Sequence, residues 1–334
     1  MQLRPRARIV GTGMFVPPDI YTNKDLEKMM DTSDEWIQQR TGIKERRFAK
    51  PGIGPSDLAL EASRAALTMA DVKASDLDLI IFATLSPDYF FPGSGAFLQD
   101  YLGCGPVLAL DVRGQCSGYI YGLKVASAFI ESGQAKRVLL VGAECHSRGI
   151  SLTTEGRDVA VLFGDGAGAT VLVPETNPEL GILSVEAHTD GAYREILKLE
   201  TPSFKQWPAI TKENLDAGLQ FPQMDGRNVF KHAVTRMPEV VGSVLGKHGL
   251  SPDDVKLYLF HQANMRINEA VMKQLGQPLT KTYNNIERYG NCSAASVPMC
   301  LDEAVRAGRL ERGDLLCMTA FGAGFTWGSA LLRW

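Results

Sequence analysis

The chain has 334 residues, 45% hydrophobic and 22% charged, a composition typical of a soluble globular protein with a large core. Its net charge of −3 and pI near 6.0 exclude binding to nucleic acid or anionic membranes through overall charge, but they leave room for a local basic patch. No apolar run reaches the roughly 18 residues of a membrane-spanning helix, and the first residues lack the apolar segment of a signal peptide. We therefore expect a cytoplasmic protein that does not insert into membranes.

Short apolar runs alternate with amphipathic helical segments through the first half of the chain. The pattern predicts strands at residues 7–17, 77–87, 106–114, 136–144 and 167–174, and helices at 55–72 and 116–133. The second strand, "LDLIIFATLSP", is almost continuously apolar, which is typical of parallel sheets. The second half repeats this order, with helices predicted at 228–249 and 292–308 and strands at 255–264, 314–324 and 327–334.

The two halves align at a nearly constant spacing. The segments around Leu79, Cys116 and Leu139 match those around Leu257, Cys292 and Leu316, with offsets of 176 to 178 residues. Three matches in the same order indicate an internal duplication. The expected fold is α/β, with two similar halves at residues 1–175 and 176–334 and helices packed against mostly parallel strands.

Two segments do not fit the repeating pattern. Residues 185–225 are polar and have no counterpart at this offset, so we expect an irregular connection that overlies a site. The run "FGDGAGA" at 163–169 lacks the spacing of a phosphate-binding or dinucleotide-binding loop, and it is interpreted as a glycine turn.

One cysteine stands between glycines where a strand is expected to meet a helix, in "VRGQCSGY". The six cysteines form no C-x-x-C pair and no metal-ligand spacing, and most such thiols are small core residues. At a helix start, however, Cys116 would meet the positive end of the helix dipole, which favours the thiolate and lowers the pKa. We therefore interpret Cys116 as a nucleophile rather than a packing residue.

Three further elements follow strands that the duplication makes equivalent or neighbouring. His261 ends a strand in "LFHQAN", Asn291 follows a glycine in "YGNCSAAS", and Ala323 lies in "FGAGF". Alone, the histidine and asparagine are ordinary core and turn residues. Together they can aim two N–H donors at one carbonyl oxygen, an arrangement worth about 3–4 kcal/mol per donor. The backbone N–H groups of Ala323 and Cys116 can form a second oxyanion hole.

Several long motifs together resemble ketoacyl-acyl-carrier-protein synthase III, the initiating condensing enzyme of the thiolase superfamily. They are "VRGQCSGY" (112–119), "TSDEWIQQRTGI" (32–43), "FGDGAGA", "HQANMRI" (261–267), "YGNCSAASVP" (289–298) and "AFGAGFTWGSALLRW" (320–334). The Cys–His–Asn set separates this branch from the elongating synthases, which use two histidines. The resemblance spans almost the whole chain and implies a thiolase-like fold of five α-β-α-β-α layers.

The resemblance implies a two-step reaction of fatty acid biosynthesis. Cys116 takes the acyl group of acyl-CoA or an acyl carrier protein, and His261 and Asn291 then hydrogen-bond the thioester oxygen of malonyl-ACP or malonyl-CoA during decarboxylation. The resulting carbanion attacks the acyl-cysteine, whose oxyanion is held by the N–H groups of Cys116 and Ala323. Neither a metal nor an organic cofactor is needed.

The resemblance also assigns residues outside the reacting centre. Phe321 matches a phenylalanine beside the decarboxylation site, and Phe91 matches a residue that enters the partner's acyl pocket in the family's homodimer. The CoA and pantetheine tunnel would be lined by Thr32, Trp36, Arg40, Arg157 and Asn264, with Trp36 and Arg157 on either side of the adenine. Lys231 and Arg266 would form the basic patch that receives the acidic acyl carrier protein.

The chain departs from the family pattern at three positions. Arg113 and Gln115 replace small residues before the nucleophile, where they reshape either the acyl pocket or the dimer contact. Arg227 replaces a neutral tunnel residue and favours a carrier-bound donor. The alternatives to a priming synthase are a specialised ketosynthase of secondary metabolism, an acyltransferase that passes the acyl group from Cys116 to an alcohol or amine, and a non-catalytic scaffold subunit.

Overall fold

The computed structural model describes residues 4–334 as an alternation of strands and helices. The strands are β1 (Arg6–Phe15), β2 (Ile20–Thr22), β3 (Glu45–Arg47), β4 (Leu79–Ala83), β5 (Leu108–Val112), β6 (Val138–Glu144), β7 (Gly166–Glu175), β8 (Gly181–Thr189), β9 (Leu197–Lys198), β10 (Gln223–Met224), β11 (Leu257–Phe260), β12 (Leu315–Gly322) and β13 (Thr326–Arg333). The α-helices are α1 (Asn23–Leu26), α2 (Asp34–Thr41), α3 (Pro55–Ala70), α4 (Ser94–Leu102), α5 (Gly118–Glu131), α6 (Arg157–Ala160), α7 (Lys212–Asp216), α8 (Gly226–Gly246), α9 (Met265–Gln274), α10 (Ile286–Tyr289) and α11 (Ser296–Arg306).

Two main sheets organise the molecule. The first has the strand order β1-β7-β6-β4-β5, and the second has the order β11-β12-β13-β8. Strand β4 pairs in parallel with β5 and β6, and β11 pairs in parallel with β12, whereas the other neighbours in both sheets are antiparallel. The expectation of mostly parallel strands was therefore wrong. The chain returns directly from β12 to β13 through a short turn, which permits only an antiparallel pair.

Helices cover both faces of each sheet, so the helices and the two sheets together form five layers. The central layer is α5 and α11, whose apolar residues pack between strands of both sheets in one continuous core. Helices α3 and α4 cover the outer face of the first sheet, and α8 and α9 cover the outer face of the second. The layered α-β-α-β-α fold predicted from the sequence is confirmed.

The two central helices begin in the same way. A single 3₁₀ turn, Gln115–Ser117, leads into α5, and the turn Ser293–Ala295 leads into α11. The first residue of each turn has a positive φ, 47° at Gln115 and 41° at Ser293. The structural counterpart of Cys116 is therefore Ala294 and not Cys292, a correction of two residues to the alignment made from sequence. The strands of the first sheet end at Glu175, and those of the second begin at Gly181. The domain boundary at 175/176 stays a prediction.

The predicted glycine turn at residues 163–169 was wrong in its second half. Two glycines of this run, Gly166 and Gly168, lie at the start of strand β7. A Cβ at Gly168 would lie 2.7 Å from the backbone nitrogen of Met299, and one at Gly166 would lie 2.9 Å from that residue's sulfur. The glycines are present because helix α11 crosses this strand at close range, and no turn is required.

The region at 185–225 that was predicted to be irregular begins within a strand. Residues 181–189 form β8, which pairs with β13 at the edge of the second sheet. The remainder, from Asp190 to Asp225, is largely irregular and contains the short elements β9, α7 and β10 and a 3₁₀ turn at Gly191–Tyr193. Among residues 4–334, no helix combines the length and the apolar character that crossing a membrane requires.

Candidate active site

Cys116 lies in the 3₁₀ turn at the start of α5, between the ends of the two sheets. It is 8% exposed, so the residue is buried where the strand is connected to the helix. Its Sγ lies 3.4 Å from the hydroxyl oxygen of Ser293, which begins the equivalent turn before α11. The duplication thus brings the two central helix starts together at one thiol.

Burial raises the pKa of the Cys116 thiol to about 11. The hydroxyl of Ser293 and the backbone N–H groups of Cys116 and Ala323 lower the pKa, while the charge of Glu144 raises it further. The thiolate expected from the helix start was therefore wrong for the resting protein. Removing the anion from water raises the pKa by more than the Ser293 hydroxyl and the N–H groups lower it.

The turn after β12 closes over the nucleophile. The backbone N–H groups of Ala323 and Cys116 both lie near enough to the sulfur to lower the pKa of the thiol, so the two predicted oxyanion donors lie at the nucleophile. A Cβ at Gly322 would lie 2.8 Å from the Cβ of Cys116 and 3.0 Å from its backbone nitrogen. A glycine is needed here because any side chain would push the strand away from the thiol.

His261 follows β11 and is 3% exposed. Its backbone N–H donates to the carbonyl of Thr319 on β12, which ties the residue to the second sheet. Its Nδ1 lies 2.7 Å from the hydroxyl of Ser296, so Nε2 is the ring nitrogen left for a ligand. Burial lowers the pKa of His261 to about 3, and the ring is neutral at ordinary pH.

Asn291 is held by its backbone and by its amide oxygen. The backbone N–H donates to Leu162, and the side-chain Oδ1 accepts the N–H of Ser293 at 2.8 Å. Because Oδ1 is occupied, the Nδ2 amide is the group that can donate to a ligand. Ser293 therefore contacts the thiol through its hydroxyl and Asn291 through its N–H, and its carbonyl accepts the hydroxyl of Ser296 behind His261.

The comparisons with known proteins agree with this geometry. Residues 110–191 match the domain described as 3-oxoacyl-[acyl-carrier-protein (ACP)] synthase III, and residues 245–334 match its C-terminal domain. The chain is 46% identical over 330 residues to beta-ketoacyl-[acyl-carrier-protein] synthase III of Alkalilimnicola ehrlichii, which covers 98% of this chain and 99% of the relative. The chain belongs to the 3-oxoacyl-[acyl-carrier-protein] synthase III family. It is a condensing enzyme and hence an acyltransferase.

Solved structures of the synthase III family have the same fold. The 3-oxoacyl-[acyl-carrier-protein] synthase III from Aquifex aeolicus is 43% identical, with a TM-score of 0.90 over 98% of this chain and 100% of the other. The priming beta-ketosynthase of the R1128 polyketide pathway is 32% identical, with a TM-score of 0.90 over 100% and 98% of the two chains. The thiolase-like fold predicted from the motifs is confirmed.

The acyl-pocket residues predicted for this synthase III chain fall in different environments. Phe321 is 4% exposed, and its ring centroid lies 4.8 Å from that of Phe325 beside the turn that covers Cys116. Phe91 is 85% exposed in the loop before α4. Gln115 is half-buried and directly precedes the nucleophile. Phe321 thus precedes the glycine that approaches Cys116 and Gln115 precedes Cys116 itself, whereas Phe91 is exposed in a loop.

The residues predicted to line the synthase III tunnel gather around helix α2. The guanidinium carbon of Arg40 lies 4.6 Å from the Trp36 ring centroid, and that of Arg157 lies 5.7 Å from it. Arg157 also donates to the carbonyl of Asp31 at 2.6 Å. An adenine placed between Trp36 and Arg157 would therefore have to displace this guanidinium.

Two other tunnel residues have specific surroundings. The hydroxyl oxygen of Thr32 is buried without a hydrogen-bond partner among residues 4–334. Asn264 caps α9 by accepting the N–H of Arg266, and its amide donates to the carbonyl of Arg40 at 2.9 Å. Asn264 therefore joins α9 to the end of α2, on which the predicted adenine site lies.

The two predicted carrier-binding cations lie on neighbouring helices of the second half. Lys231 is exposed on α8, and Arg266 is exposed on the first turn of α9 with its guanidinium 5.9 Å from the ring of Phe230. Neither forms an ion pair within the part of the chain that the structure describes. Arg227 is likewise exposed near the start of α8.

Sequence reasoning missed four residues that shape the centre: Ser293, Ser296, Gly322 and Glu144. The first two stand inside the motif "YGNCSAASVP", and an alignment offset of 178 would have placed Ser293 opposite Gln115. Glu144 ends β6, is fully buried, and accepts hydrogen bonds from Thr84 and Ser86. The sequence signal for Glu144 was an acidic residue at the end of an otherwise apolar strand.

Proposed function

We propose that the enzyme transfers an acyl group from acyl-CoA or an acyl carrier protein to Cys116 and condenses it with a malonyl thioester on an acyl carrier protein. The product is a 3-oxoacyl thioester, and the reaction belongs to fatty acid biosynthesis. One observation carries this proposal. The buried thiol of Cys116 is joined by hydrogen bonds through Ser293 to Asn291 and, by way of Ser296, to His261.

In the first half-reaction the sulfur of Cys116 attacks the thioester carbonyl and its S–H bond breaks. Because burial keeps the thiol protonated, its proton leaves as the sulfur attacks and is taken up by the donor thiolate that is released. The negative charge that develops on the carbonyl oxygen is held by the N–H groups of Cys116 and Ala323. Collapse of this intermediate releases the donor thiol and leaves an acyl-cysteine.

In the second half-reaction a malonyl thioester loses CO₂ and its α-carbon attacks the acyl-cysteine. The electron pair left by CO₂ is delocalised onto the thioester oxygen, which therefore becomes more negative. The Nδ2 of Asn291 and the Nε2 side of His261 are the unoccupied groups assigned to this oxygen. Phe321, which is buried and precedes the glycine that approaches Cys116, is assigned to keep water from the carbanion.

Delivery of both substrates is assigned to the face formed by α2, α8 and α9. Trp36, Arg40 and Arg157 would bind a nucleotide, Thr32 and Asn264 would line the tunnel, and Lys231 with Arg266 would bind an acidic carrier protein. The support for the carrier-protein surface is that Lys231 and Arg266 are exposed and form no ion pair within residues 4–334. Arg157 must release the Trp36 ring before an adenine can stack there.

The enzyme is proposed to work as a homodimer. Strand β5 is the outer strand of the first sheet, and its Leu108 is 48% exposed. The adjoining loop exposes three consecutive aromatic residues, Tyr89, Phe90 and Phe91. An uncovered apolar edge strand is a surface that proteins usually pair or protect. Sedimentation of the wild type and of Leu108→Lys should give a dimer and a monomer, respectively.

We also propose that the protein is cytoplasmic. All six cysteines lie among residues 4–334 and are free thiols, five of them buried. Such cysteine usage is typical of proteins in a reducing compartment. Fractionation of cells that produce the full chain would test this location.

The proposed reaction is tested by intact-mass measurement after incubation with acyl-CoAs and acyl carrier proteins of increasing chain length. We expect one acyl adduct on the wild type, none on Cys116→Ala, and its discharge by malonyl carrier protein with release of CO₂. The donor that acylates fastest names the primer. Discharge of the adduct only by an alcohol or amine would replace condensation with simple acyl transfer, and absence of any adduct would overturn the role of Cys116.

A further inference from the structure

His146, which begins the 3₁₀ turn after strand β6, is a buried histidine that the proposed reaction does not use. The residue is 7% exposed, and its Nε2 is buried without a hydrogen-bond partner among residues 4–334. The carboxylate oxygen Oε2 of Glu144 lies 4.0 Å from this nitrogen, which is beyond hydrogen-bond distance. Leaving a buried polar group unpaired costs free energy, so a nitrogen in this position is expected to have a partner.

The carboxylate of Glu144 cannot supply that partner because other donors already occupy it. Its Oε2 accepts the hydroxyls of Thr84 and Ser86 at 3.0 and 2.5 Å and the backbone N–H of Ser86 at 3.1 Å. The backbone N–H of Leu85 lies 3.2 Å from both carboxylate oxygens. A carboxylate oxygen offers about two lone-pair sites, so none is left at Oε2 for His146.

His146 lies beside the reaction centre. Its ring centroid is 4.6 Å from that of Phe163, and the backbone of Phe163 pairs with that of Asn291. His146 is also close enough to His261 to lower the pKa of that ring further. The unpaired nitrogen therefore belongs to a side chain that neighbours two of the three residues of the Cys–His–Asn set.

An acyl chain on Cys116 lies in the same buried region. Cys116 is 8% exposed, and Glu144, two residues before His146, is close enough to raise the pKa of its thiol. The acyl carbonyl oxygen is assigned to the N–H groups of Cys116 and Ala323, on the side of β12, which leaves the side of β6 for the chain. Because the thiol is buried, the chain has to part the side chains around it, and it can then meet the ring of His146.

The chemistry of this ring determines which group would pair with it. Burial lowers the pKa of His146 to about 3, so the ring is neutral and Nε2 is either an N–H donor or a lone-pair acceptor. A hydroxyl both donates and accepts, so it pairs with either form, whereas a methylene group pairs with neither. A carboxylate here would be buried near the carboxylate of Glu144, which disfavours it.

We propose that His146 is a specificity-determining residue that selects a primer whose acyl chain carries a hydroxyl group. The inference deepens the proposed function and rests on it, since it names the substrate class of the acylation step. A primer with a plain hydrocarbon chain would leave Nε2 unpaired. A site that hydrogen-bonds a substrate hydroxyl discriminates strongly against the analogue that lacks it.

The test is a competition between two donors for one thiol. The protein is mixed with equal concentrations of butyryl-CoA and either 3-hydroxybutyryl-CoA or 4-hydroxybutyryl-CoA. Intact mass at early times gives the ratio of the two Cys116 adducts, which differ by one oxygen atom. In the wild type we expect the hydroxylated adduct of at least one isomer to exceed the butyryl adduct about tenfold or more.

Substitutions of His146 then show whether this residue sets the ratio. In His146→Leu the butyryl adduct should predominate, because an apolar side chain leaves the substrate hydroxyl unpaired. His146→Gln keeps a donor and an acceptor and should retain the preference for the hydroxyl. The control is His248→Leu, which changes an exposed histidine just after α8 and should keep the wild-type ratio.

The outcomes distinguish failure of this inference from failure of the proposed function. Absence of any adduct on the wild type would reject the proposed function and the inference with it. A wild type that prefers butyryl-CoA over both isomers would overturn the role of His146 while leaving the acylation of Cys116 intact. A hydroxyl preference that survives in His146→Leu would overturn it as well, since a general folding defect slows both donors together and leaves their ratio unchanged.

Discussion

At the scale of single residues, Cys116 experiences two opposed effects. It starts a helix, which stabilises an anion, and it is almost completely buried, which destabilises one. Burial prevails, and the pKa of the thiol rises to about 11. The sulfur is therefore held as a thiol until a thioester arrives, which protects it from unselective reaction with electrophiles.

The first prediction concerns the alkylation of this thiol. The rate of modification of Cys116 by iodoacetamide should keep rising with pH up to at least pH 10, because the thiolate fraction grows as the pH approaches the raised pKa. Peptide mass analysis would isolate Cys116 from the other cysteines, with Cys116→Ala as the blank. A plateau below pH 8.5 would show that the helix start outweighs burial.

The position of the nucleophile was predictable from sequence, whereas its protonation state was not. Glycines and strand ends mark where Cys116, His261 and Asn291 lie, and these are features of local sequence. Burial depends on what packs over the turn, which here is the segment after β12. The same reason explains why Ser293 and Ser296 were missed: serines in a helix-start motif show their hydrogen-bond partners only once two distant segments meet.

At the scale of elements, strand β12 and the turn of Cys116 approach as closely as a glycine permits. The second prediction is that Gly322→Ala folds but acylates at least about tenfold more slowly, because the new Cβ would lie 2.8 Å from the Cβ of Cys116 and must displace it. Stopped-flow acylation with acyl-CoA would measure this rate.

Gly242→Ala is the matched control for that substitution. Gly242 lies within α8 with no atom within 4 Å of its ideal Cβ, so alanine should stabilise the helix by about 0.5–1 kcal/mol and leave acylation unchanged. Wild-type acylation in Gly322→Ala would mean that β12 can shift without disturbing the nucleophile.

The end of β6 is joined to the loop that carries Phe91. The carboxylate of Glu144 accepts hydrogen bonds from the hydroxyls of Thr84 and Ser86 and from the N–H groups of Leu85 and Ser86, and burial raises its pKa to about 7. Between pH 4.5 and 7 the folded protein thus retains a proton that the unfolded chain has lost. Its contribution to stability is complete below pH 4.5 and declines as the pH rises to 7.

The third prediction follows from that sign. The free energy of unfolding of the wild type relative to Glu144→Gln should fall by on the order of 3 kcal/mol between pH 4.5 and 7. Urea unfolding at a series of pH values would measure the difference, with the exposed Glu131→Gln on α5 as the control. A difference that does not vary with pH would show that Glu144 is ionised throughout.

Helices and strands were largely predictable from periodicity, but their pairing was not. The apolar runs marked β4, β6, β11 and β12 correctly because these strands are buried on both faces. Strand β8 escaped because it lies at a sheet edge and is only partly buried, so its sequence stays polar. Whether neighbours run parallel depends on connection lengths, which hydrophobic pattern alone does not contain.

At the scale of the whole molecule, the net charge is negative while one face carries exposed positive charge. The net charge of −3 discourages unspecific association with acidic macromolecules, while Lys231 and Arg266 expose positive charge on one face. An acidic carrier protein would thus be attracted to a small area near the predicted tunnel. Such contacts between exposed charges weaken with salt, since the screening length is about 10 Å at 0.1 M.

The fourth prediction tests whether Lys231 and Arg266 bind the carrier protein. The double variant Lys231→Glu/Arg266→Glu should raise KM for malonyl carrier protein about tenfold at low salt, because two attractive charges become repulsive, and leave KM for malonyl-CoA within twofold. Lys256→Glu is the control, because Lys256 is exposed just before β11, at the opposite end of that strand from His261. Added salt should narrow the gap between variant and wild type. An equal rise in KM for both substrates would show that the two cations act in the tunnel and not in binding the carrier protein.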